Sequence, residues 1–312
     1  MLEYRFAKLA AGATFLLLLI GGTVNPTGSS LACPEPTLVC HGQFLPPMTG
    51  GVLYEHGHRL AAMTVGLLQI GLTILLWRRR RAMRGLGVAA LVMVCAQGAL
   101  GAITVAYKLP TAVSVAHLMV AFGYFATLIY IAWRVRPGAE ISRYVGGHEV
   151  GSARRWVLAA GAVVAGQILL GALVRHTGAA LACIDLPLCN GDLMPQGATL
   201  PLAVHMLHRM GGVIVGIVVI AASIALYRKT AGHRALRGLA IAAPIVVLAQ
   251  ITLGILTIYT LRDTPVAVAH FGGAAILWGI WVAAFLLTIP RTSQPRRAQR
   301  TNRLGRLVGD GV

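Results

Sequence analysis

The chain has 312 residues, of which 57% are hydrophobic and 12% charged, with a mean hydropathy of +0.74. This usage is far from that of soluble domains and excludes an ordinary water-soluble enzyme. The formal net charge of +18 would fit a nucleic-acid partner, but the charges fall between apolar segments in a pattern that a membrane explains and nucleic acid does not.

A span needs roughly 20 mostly apolar residues, and eight segments qualify: 7–24, 54–77, 85–107, 112–133, 156–174, 202–227, 238–261 and 264–288. They are too long and too uniformly apolar for barrel strands, so each is expected to be a helix. The first follows Arg5 and Lys8 like a secretory signal, but no A-x-A-like cleavage site comes after it, so it reads as a retained span. Between spans two and three lie Arg78, Arg79, Arg80, Arg81 and Arg84; around the link between four and five lie Arg134, Arg136, Arg143, Arg154 and Arg155. Arg228, Lys229, Arg234 and Arg237 join six to seven, and Arg291, Arg296, Arg297, Arg300, Arg303 and Arg306 form the tail. With Arg5 and Lys8, 22 of the 27 basic residues fall on one side. The positive-inside rule then predicts a multi-pass protein of the cell membrane with both termini cytoplasmic, and contact with anionic lipid headgroups is the expected use of the charge.

The loops 25–53 and 175–201 face the other way and hold four of the five cysteines. On an oxidising face the close pairs Cys33–Cys40 and Cys183–Cys189 read as disulfides closing small loops, the alternatives being free thiols or a metal clip. Neither C-x-x-C nor C-x-x-C-H occurs, so covalent c-type haem attachment is excluded. Cys95, inside the third span, reads as a small packing residue.

Internal repetition is plain. Thr27-Gly28-Ser29-Ser30-Leu31-Ala32-Cys33 recurs as Thr177-Gly178-Ala179-Ala180-Leu181-Ala182-Cys183, and His58-Arg59 as His208-Arg209, both at an offset of 150. Gln97-Gly98-Ala99-Leu100-Gly101 reappears as Gln250-Ile251-Thr252-Leu253-Gly254, and Val115-Ala116-His117 as Val268-Ala269-His270, at 153. Each half has an even number of spans, so the halves insert the same way up. The expected fold is an all-α membrane protein of eight transmembrane helices, arranged as two tandem four-helix bundles related by a parallel internal repeat. The halves are 1–137 and 156–290, with a cytoplasmic linker 138–155 and a basic tail 291–312.

His58 and His117 fall at similar depth near the exterior ends of spans two and four, and His208 and His270 take the equivalent places in spans six and eight. Ionisable residues at membrane depth are rare and functional by default; a lone one is as readily a helix–helix hydrogen bonder, but two matched pairs are not. Two facing imidazoles in an apolar four-helix bundle suit a haem iron, whereas zinc would need more ligands than each pair offers. Arg59 and Arg209 beside them have two readings, pairing with haem propionates or interfacial snorkelling. His41, His56, His148, His176, His205 and His233 lack repeat partners and are expected mostly in solvated loops or at the interface. Glu55 precedes His58 by three residues, near one helical face, and its repeat position is His205. The acid belongs to the first half alone, which points to chemistry there and to a supporting redox haem in the second; the other reading of Glu55 is an interfacial acid touching Arg59.

At these residues the chain resembles the haem A synthase family, which converts haem O to haem A in the assembly of aa3-type terminal oxidases. The resemblance covers essentially the whole chain: eight spans, duplicated halves, E-x-x-H at Glu55–His58, four histidines and both loop cysteine pairs. It departs from the family's tighter acidic-aromatic cysteine motif, since the loops read Cys33-Pro-Glu-Pro-Thr-Leu-Val-Cys40 and Cys183-Ile-Asp-Leu-Pro-Leu-Cys189. The resemblance implies that His208 and His270 ligate a resident haem b, that His58 and His117 line the site of the substrate haem O, and that Glu55 is required for activity. It implies a haem-dependent membrane oxidoreductase that turns a porphyrin methyl group into a formyl group through hydroxylated intermediates, with the oxygen deriving from water or dioxygen. Expected partners are the farnesyltransferase that produces haem O, an electron donor and the lipid bilayer, with no nucleic acid. The rival readings are a non-catalytic dihaem electron carrier of the cytochrome b type, which would place its haems toward opposite faces, and a transporter, which the parallel repeat disfavours.

Overall fold

The computed structural model describes residues 1–137 and 148–289, of which 148–150 as backbone alone. Part of the expected linker, Arg143, the His148 side chain and the tail from residue 290 with its six arginines lie outside the described residues.

Eight helices carry the fold: α1 (Leu2–Val24), α2 (Gly50–Arg79), α3 (Arg84–Ala106), α4 (Thr111–Val135), α5 (His148–His176), α6 (Leu200–Lys229), α7 (Arg234–Tyr259) and α8 (Thr264–Thr288). All eight are long and apolar enough to cross a membrane, and no strand occurs among the described residues. The helices outrun the apolar segments that announce them: α2 starts at Gly50 and ends in Arg78 and Arg79, because a hydrogen-bonded helix need not stop where its side chains become polar. Pro244 sits inside α7 without ending it.

Each consecutive pair of helices packs side by side, and α1 closes on α4 as α5 closes on α8. The result is two four-helix bundles that meet along α1, α4, α5 and α8, leaving α2–α3 and α6–α7 on the flanks. Small residues let backbones approach at that seam: a Cβ at Gly22 of α1 would lie 3.0 Å from the Phe271 ring of α8, and Gly272 of α8 sits under Leu19 of α1. Phe122 and Phe271 pack edge to face at 5.8 Å, and Trp278 Nε1 donates to the Phe122 carbonyl oxygen at 3.1 Å. Within the first bundle a buried polar chain ties three helices. Tyr124 of α4 donates to Gln69 Oε1 of α2 (2.9 Å), whose Nε2 donates to Thr73 Oγ1 (3.0 Å), and Thr73 donates to the Gly87 carbonyl oxygen of α3 (3.0 Å). In a medium without water these bonds have no competitor.

The connections repeat backbone conformations that L-residues seldom adopt. Lys108 and Leu109 between α3 and α4 have φ of 54° and 66°, and Leu261 and Arg262 between α7 and α8 have φ of 50° and 69°. Such residues cost about 1 kcal/mol or more each, and both turns are closed the same way, by Leu109 N–H to the Thr104 oxygen and Arg262 N–H to the Thr257 oxygen. Positive φ also recurs at Gly28 and Gly178, and at His41-Gly42 and Asn190-Gly191 in the cysteine loops.

Candidate functional site

Because α2, α4, α6 and α8 all start at the end of the molecule that carries the two long loops, their early residues share a depth. His58 and His208 are the ninth residues of α2 and α6, and His117 and His270 the seventh of α4 and α8. At 1.5 Å rise per residue all four lie roughly 9–12 Å below the helix starts.

Each ring leans on a glycine of the preceding helix. A Cβ at Gly21 would lie 2.8 Å from His58 Cε1, and the same measure is 3.4 Å for Gly101 and His117, 3.1 Å for Gly171 and His208, and 3.2 Å for Gly254 and His270. The helix backbones thus come close enough to fix each imidazole's tilt. In the second bundle, second contacts also reach the rings themselves. Gln97 Nε2 donates to the His117 carbonyl oxygen (2.8 Å), and Gln167 Nε2 lies 2.8 Å from the His208 carbonyl oxygen and 3.1 Å from its Nδ1. His270 Nδ1 lies 3.1 Å from the Gln250 carbonyl oxygen, so Nδ1 carries the proton and Nε2 keeps its lone pair, the tautomer of a metal ligand.

In the second bundle the His208 and His270 ring centres are 6.4 Å apart and their planes perpendicular. Two metal–imidazole bonds of about 2.0–2.1 Å and a ring radius of roughly 1.1 Å at each end span about 6.3 Å, so the spacing is that of two imidazoles on opposite sides of one metal ion. Both rings line a cavity of about 680 Å³ walled by aliphatic and aromatic side chains, including Val164, Ile168, Met206, Val247 and Phe271. Three guanidiniums border it, Arg175, Arg209 and Arg262, and none makes an ion pair among the described residues. Arg175 reaches across the seam, donating to the Gly21 and Gly22 carbonyl oxygens of α1 (3.1 and 3.2 Å) with its guanidinium 5.4 Å from the Phe271 ring centre. Arg262 donates to Asn25 Oδ1 at 2.9 Å. An apolar slot with an anion-seeking rim takes a flat, largely hydrophobic ligand that bears acidic groups at one edge.

The sequence reading missed Arg175, Arg262, Gln167 and the four glycines. The signal lay in repeat positions that differ: Gln167, Arg175 and Arg262 correspond to Leu17, Asn25 and Leu109 in the first half.

Glu55 is only 4% exposed. Its Oε2 accepts the Cys33 N–H at 2.8 Å and its Oε1 the Arg59 guanidinium at 2.6 Å. Arg59 then donates to the carbonyl oxygens of Glu35 and Thr37 (2.6 Å each), Val39 (3.2 Å) and Cys33 (3.1 Å). Arg59 therefore spends both Nη atoms on the loop and on Glu55, and the two together clamp the first loop over the end of α2. Arg209 does the same more loosely, giving its two Nη atoms to the Asp185 (2.6 Å) and Cys183 (2.5 Å) carbonyl oxygens and leaving Nε unpartnered. Cys33–Cys40 and Cys183–Cys189 are bonded as disulfides. The solvated placement expected of His56 and His205 is corrected: both are buried, because the loops fold back onto the helices. His205, at the place of Glu55, hydrogen-bonds through Nδ1 to the Ala179 carbonyl oxygen at 2.6 Å.

A family model described as cytochrome oxidase assembly protein (COX15-CtaA) matches residues 50–282, a stretch that holds all four histidines. The chain belongs to that family. Glu55, Arg59 and the second cysteine pair also fall inside the matched stretch, while Cys33 and Cys40 precede it. Among curated relatives, the chain is 29% identical over 277 residues to the heme A synthase of Halalkalibacterium halodurans, covering 85% of this chain and 90% of that protein. It is 29% identical over 304 residues to the heme A synthase of Symbiobacterium thermophilum (93% and 97% covered) and 28% identical over 306 residues to that of Geobacillus kaustophilus (94% and 93%). In each case the match covers most of both chains, this member of the cytochrome oxidase assembly family and its relative, and not only a shared module.

Proposed function

We propose that this chain is a haem A synthase, which oxidises one porphyrin methyl group of haem O to a formyl group and so supplies haem A to aa3-type terminal oxidases. The match to heme A synthases over most of both chains supports the reaction, and the observation that carries a haem chemistry on this chain is the His208–His270 pair, 6.4 Å apart across an apolar cavity with a guanidinium rim.

In this reading the halves are a duplicated unit with divided labour. The second half, 156–290, would hold a resident haem b through His208 and His270, with Arg175, Arg262 and the unpartnered Nε of Arg209 on the same cavity available to its carboxylates. That Arg175 and Arg262 have no basic counterparts in the first half, where Asn25 and Leu109 stand, supports the assignment. When bound there, the haem would supply one-electron transfer. The first half, 1–137, receives haem O against His58 and His117, with Glu55 the acid beside it. The carboxylate accepts a proton released from the methyl carbon or stabilises positive charge developing there. Turning a methyl into a formyl group takes one oxygen atom from water and releases four electrons and four protons to an electron-accepting partner, or uses dioxygen, which accepts the electrons and leaves one molecule of water. The basic loops support an orientation with both termini in the cytoplasm of a bacterial cell and the histidine ends toward the exterior. The farnesyltransferase that makes haem O is the natural supplier of the substrate.

The test is expression in cells that make haem O but no haem A, followed by extraction and chromatographic separation of the haems. Haem A appearing with this gene and not with an empty vector supports the reading; purified protein carrying haem b alone, in cells that still lack haem A, sinks it in favour of an electron carrier.

A further inference from the structure

His56 has no part in the function above, yet it is 0% exposed. Its Nε2 lies 2.9 Å from the Phe44 carbonyl oxygen, so Nε2 bears the proton and Nδ1 the lone pair. That Nδ1 is buried and has no hydrogen-bond partner, an expensive arrangement for a polar atom. Beside it are the sulfurs of Cys33 and Cys40, also 0% exposed, and one ring nitrogen with the two Sγ atoms form a group whose members all lie within 4.8 Å of one another. The second half shows what packing alone requires at this place. Its equivalent of His56 is Met206, which covers the Cys183–Cys189 disulfide as part of a small hydrophobic cluster. An imidazole with an unused lone pair is therefore not needed to cover a disulfide.

We propose that Cys33, Cys40 and His56, in the dithiol state of the first loop, form a three-coordinate site for the soft cation Cu(I). Thiolate and imidazole donors suit that ion, whereas zinc asks for a fourth ligand that the cluster does not offer. A carbonyl oxygen holding the far nitrogen of the ring is the usual support of a metal-bound histidine. Bonds of about 2.0–2.3 Å place three ligands roughly 3.5–4.0 Å apart around one ion, so the two sulfurs must move apart once their bond opens, while the ring nitrogen already lies within 4.8 Å of both. The loop does not depend on the disulfide for its shape. Arg59 grips four of its carbonyl oxygens, Glu55 its Cys33 N–H, and Cys40 pairs with Gln43 through two backbone bonds. Opening the site takes two electrons and two protons from a dithiol, which becomes a disulfide as Cys33 and Cys40 become thiols. Cu(I) then displaces both thiol protons to solvent, and Nδ1 binds as a neutral donor without any change of oxidation state.

The experiment uses full-length protein carrying Cys95→Ser, Cys183→Ser and Cys189→Ser, reduced with a small dithiol under nitrogen and titrated with Cu(I) against a chromophoric Cu(I) chelator. One Cu(I) per reduced chain is expected, none for the oxidised chain, and an X-ray absorption spectrum with two sulfurs and one nitrogen. His56→Leu should weaken binding by at least about 10-fold and remove the nitrogen. A first-loop disulfide that cannot be reduced in the folded protein, no Cu(I) retained after reduction, or a bound ion with only sulfur neighbours in the His56 protein would each overturn the site. The last readout needs no variant at His56, and none of these outcomes bears on haem A formation.

Discussion

Each membrane-embedded imidazole leans on a glycine, and the glycine is the more sensitive partner of the two. Alanine inside a helix ordinarily stabilises by about 0.5–1 kcal/mol over glycine, so a loss at these places isolates the effect of the clash. Gly171→Ala puts a methyl group 3.1 Å from His208 Cε1 and should lower the haem b content of purified protein by pushing the ring off its position. Gly166→Ala, on the same helix with nothing within 4 Å, should leave the content unchanged; equal content in both variants, measured as pyridine haemochrome per chain, removes the glycine from the argument. Glu55 presents the opposite case, a residue whose type was legible and whose surroundings were not. Its place three residues before His58 marks it in the sequence, but its bonds go to Cys33 and Arg59, partners brought by a loop fold that no spacing encodes. Glu55→Gln keeps one acceptor and turns an amide donor toward a donor. The expected result is haem A formation lower by roughly 100-fold, as for a lost acid–base group, with haem b content unchanged; normal haem A would leave Glu55 only its structural bonds.

At the scale of elements, the spans were readable because lipid demands helices and long apolar runs, whereas the loops were readable only as cysteine pairs. What organises the first loop is a set of backbone carbonyls and amides facing Arg59, Glu55 and Glu35, and backbone groups carry no sequence signal. Arg59→Ala removes the grip on four carbonyl oxygens and leaves the Glu55 carboxylate buried without its cation, a change on the order of 3–5 kcal/mol for a broken buried pair. Hydrogen exchange across residues 33–43 should accelerate strongly while α2 below residue 60 stays protected; unchanged exchange in the loop would mean that the disulfide alone holds it. Glu35 adds a pH dependence to the same loop. Hydrogen bonds from its own backbone amide and then from Gly42 and His41 hold its carboxyl below its ordinary value of 4.5, the latter two at 3.0 Å each. A carboxyl depressed in the folded state stabilises fully above its unfolded value and loses that contribution as pH falls through the folded one. Protection of the His41 and Gly42 amides should therefore persist above pH 4.5 and decay below it, and Glu35→Gln should abolish that pH dependence; decay at the same pH in the variant would point to another group.

For the molecule as a whole, the repeated motifs predict two matched bundles, and rare backbone conformations occur at corresponding connections, Lys108-Leu109 with Leu261-Arg262 and Gly28 with Gly178. The differences between the halves carry the functional argument. A duplicated unit that did the same thing twice would have no reason to place Gln167, Arg175 and Arg262 opposite Leu17, Asn25 and Leu109, or Glu55 opposite His205. Sequence comparison of the halves could have found these positions, but only the folded chain shows that three of them converge on one cavity, with Arg175 donating to the backbone of α1 beneath His58. If the halves are specialised, ligand removal must be asymmetric. His208→Ala and His270→Ala should each deplete haem b, with haem A formation lost as a consequence. His58→Ala and His117→Ala should leave haem b near the level of the unaltered protein while haem A formation falls, with haem O accumulating unconverted in the cells. Chromatography of the haems bound to each purified variant, with a spectrum of the low-spin iron, separates the two patterns. Equal depletion of haem b by all four substitutions would mean that the halves act as one site, and the division of labour would have to be abandoned.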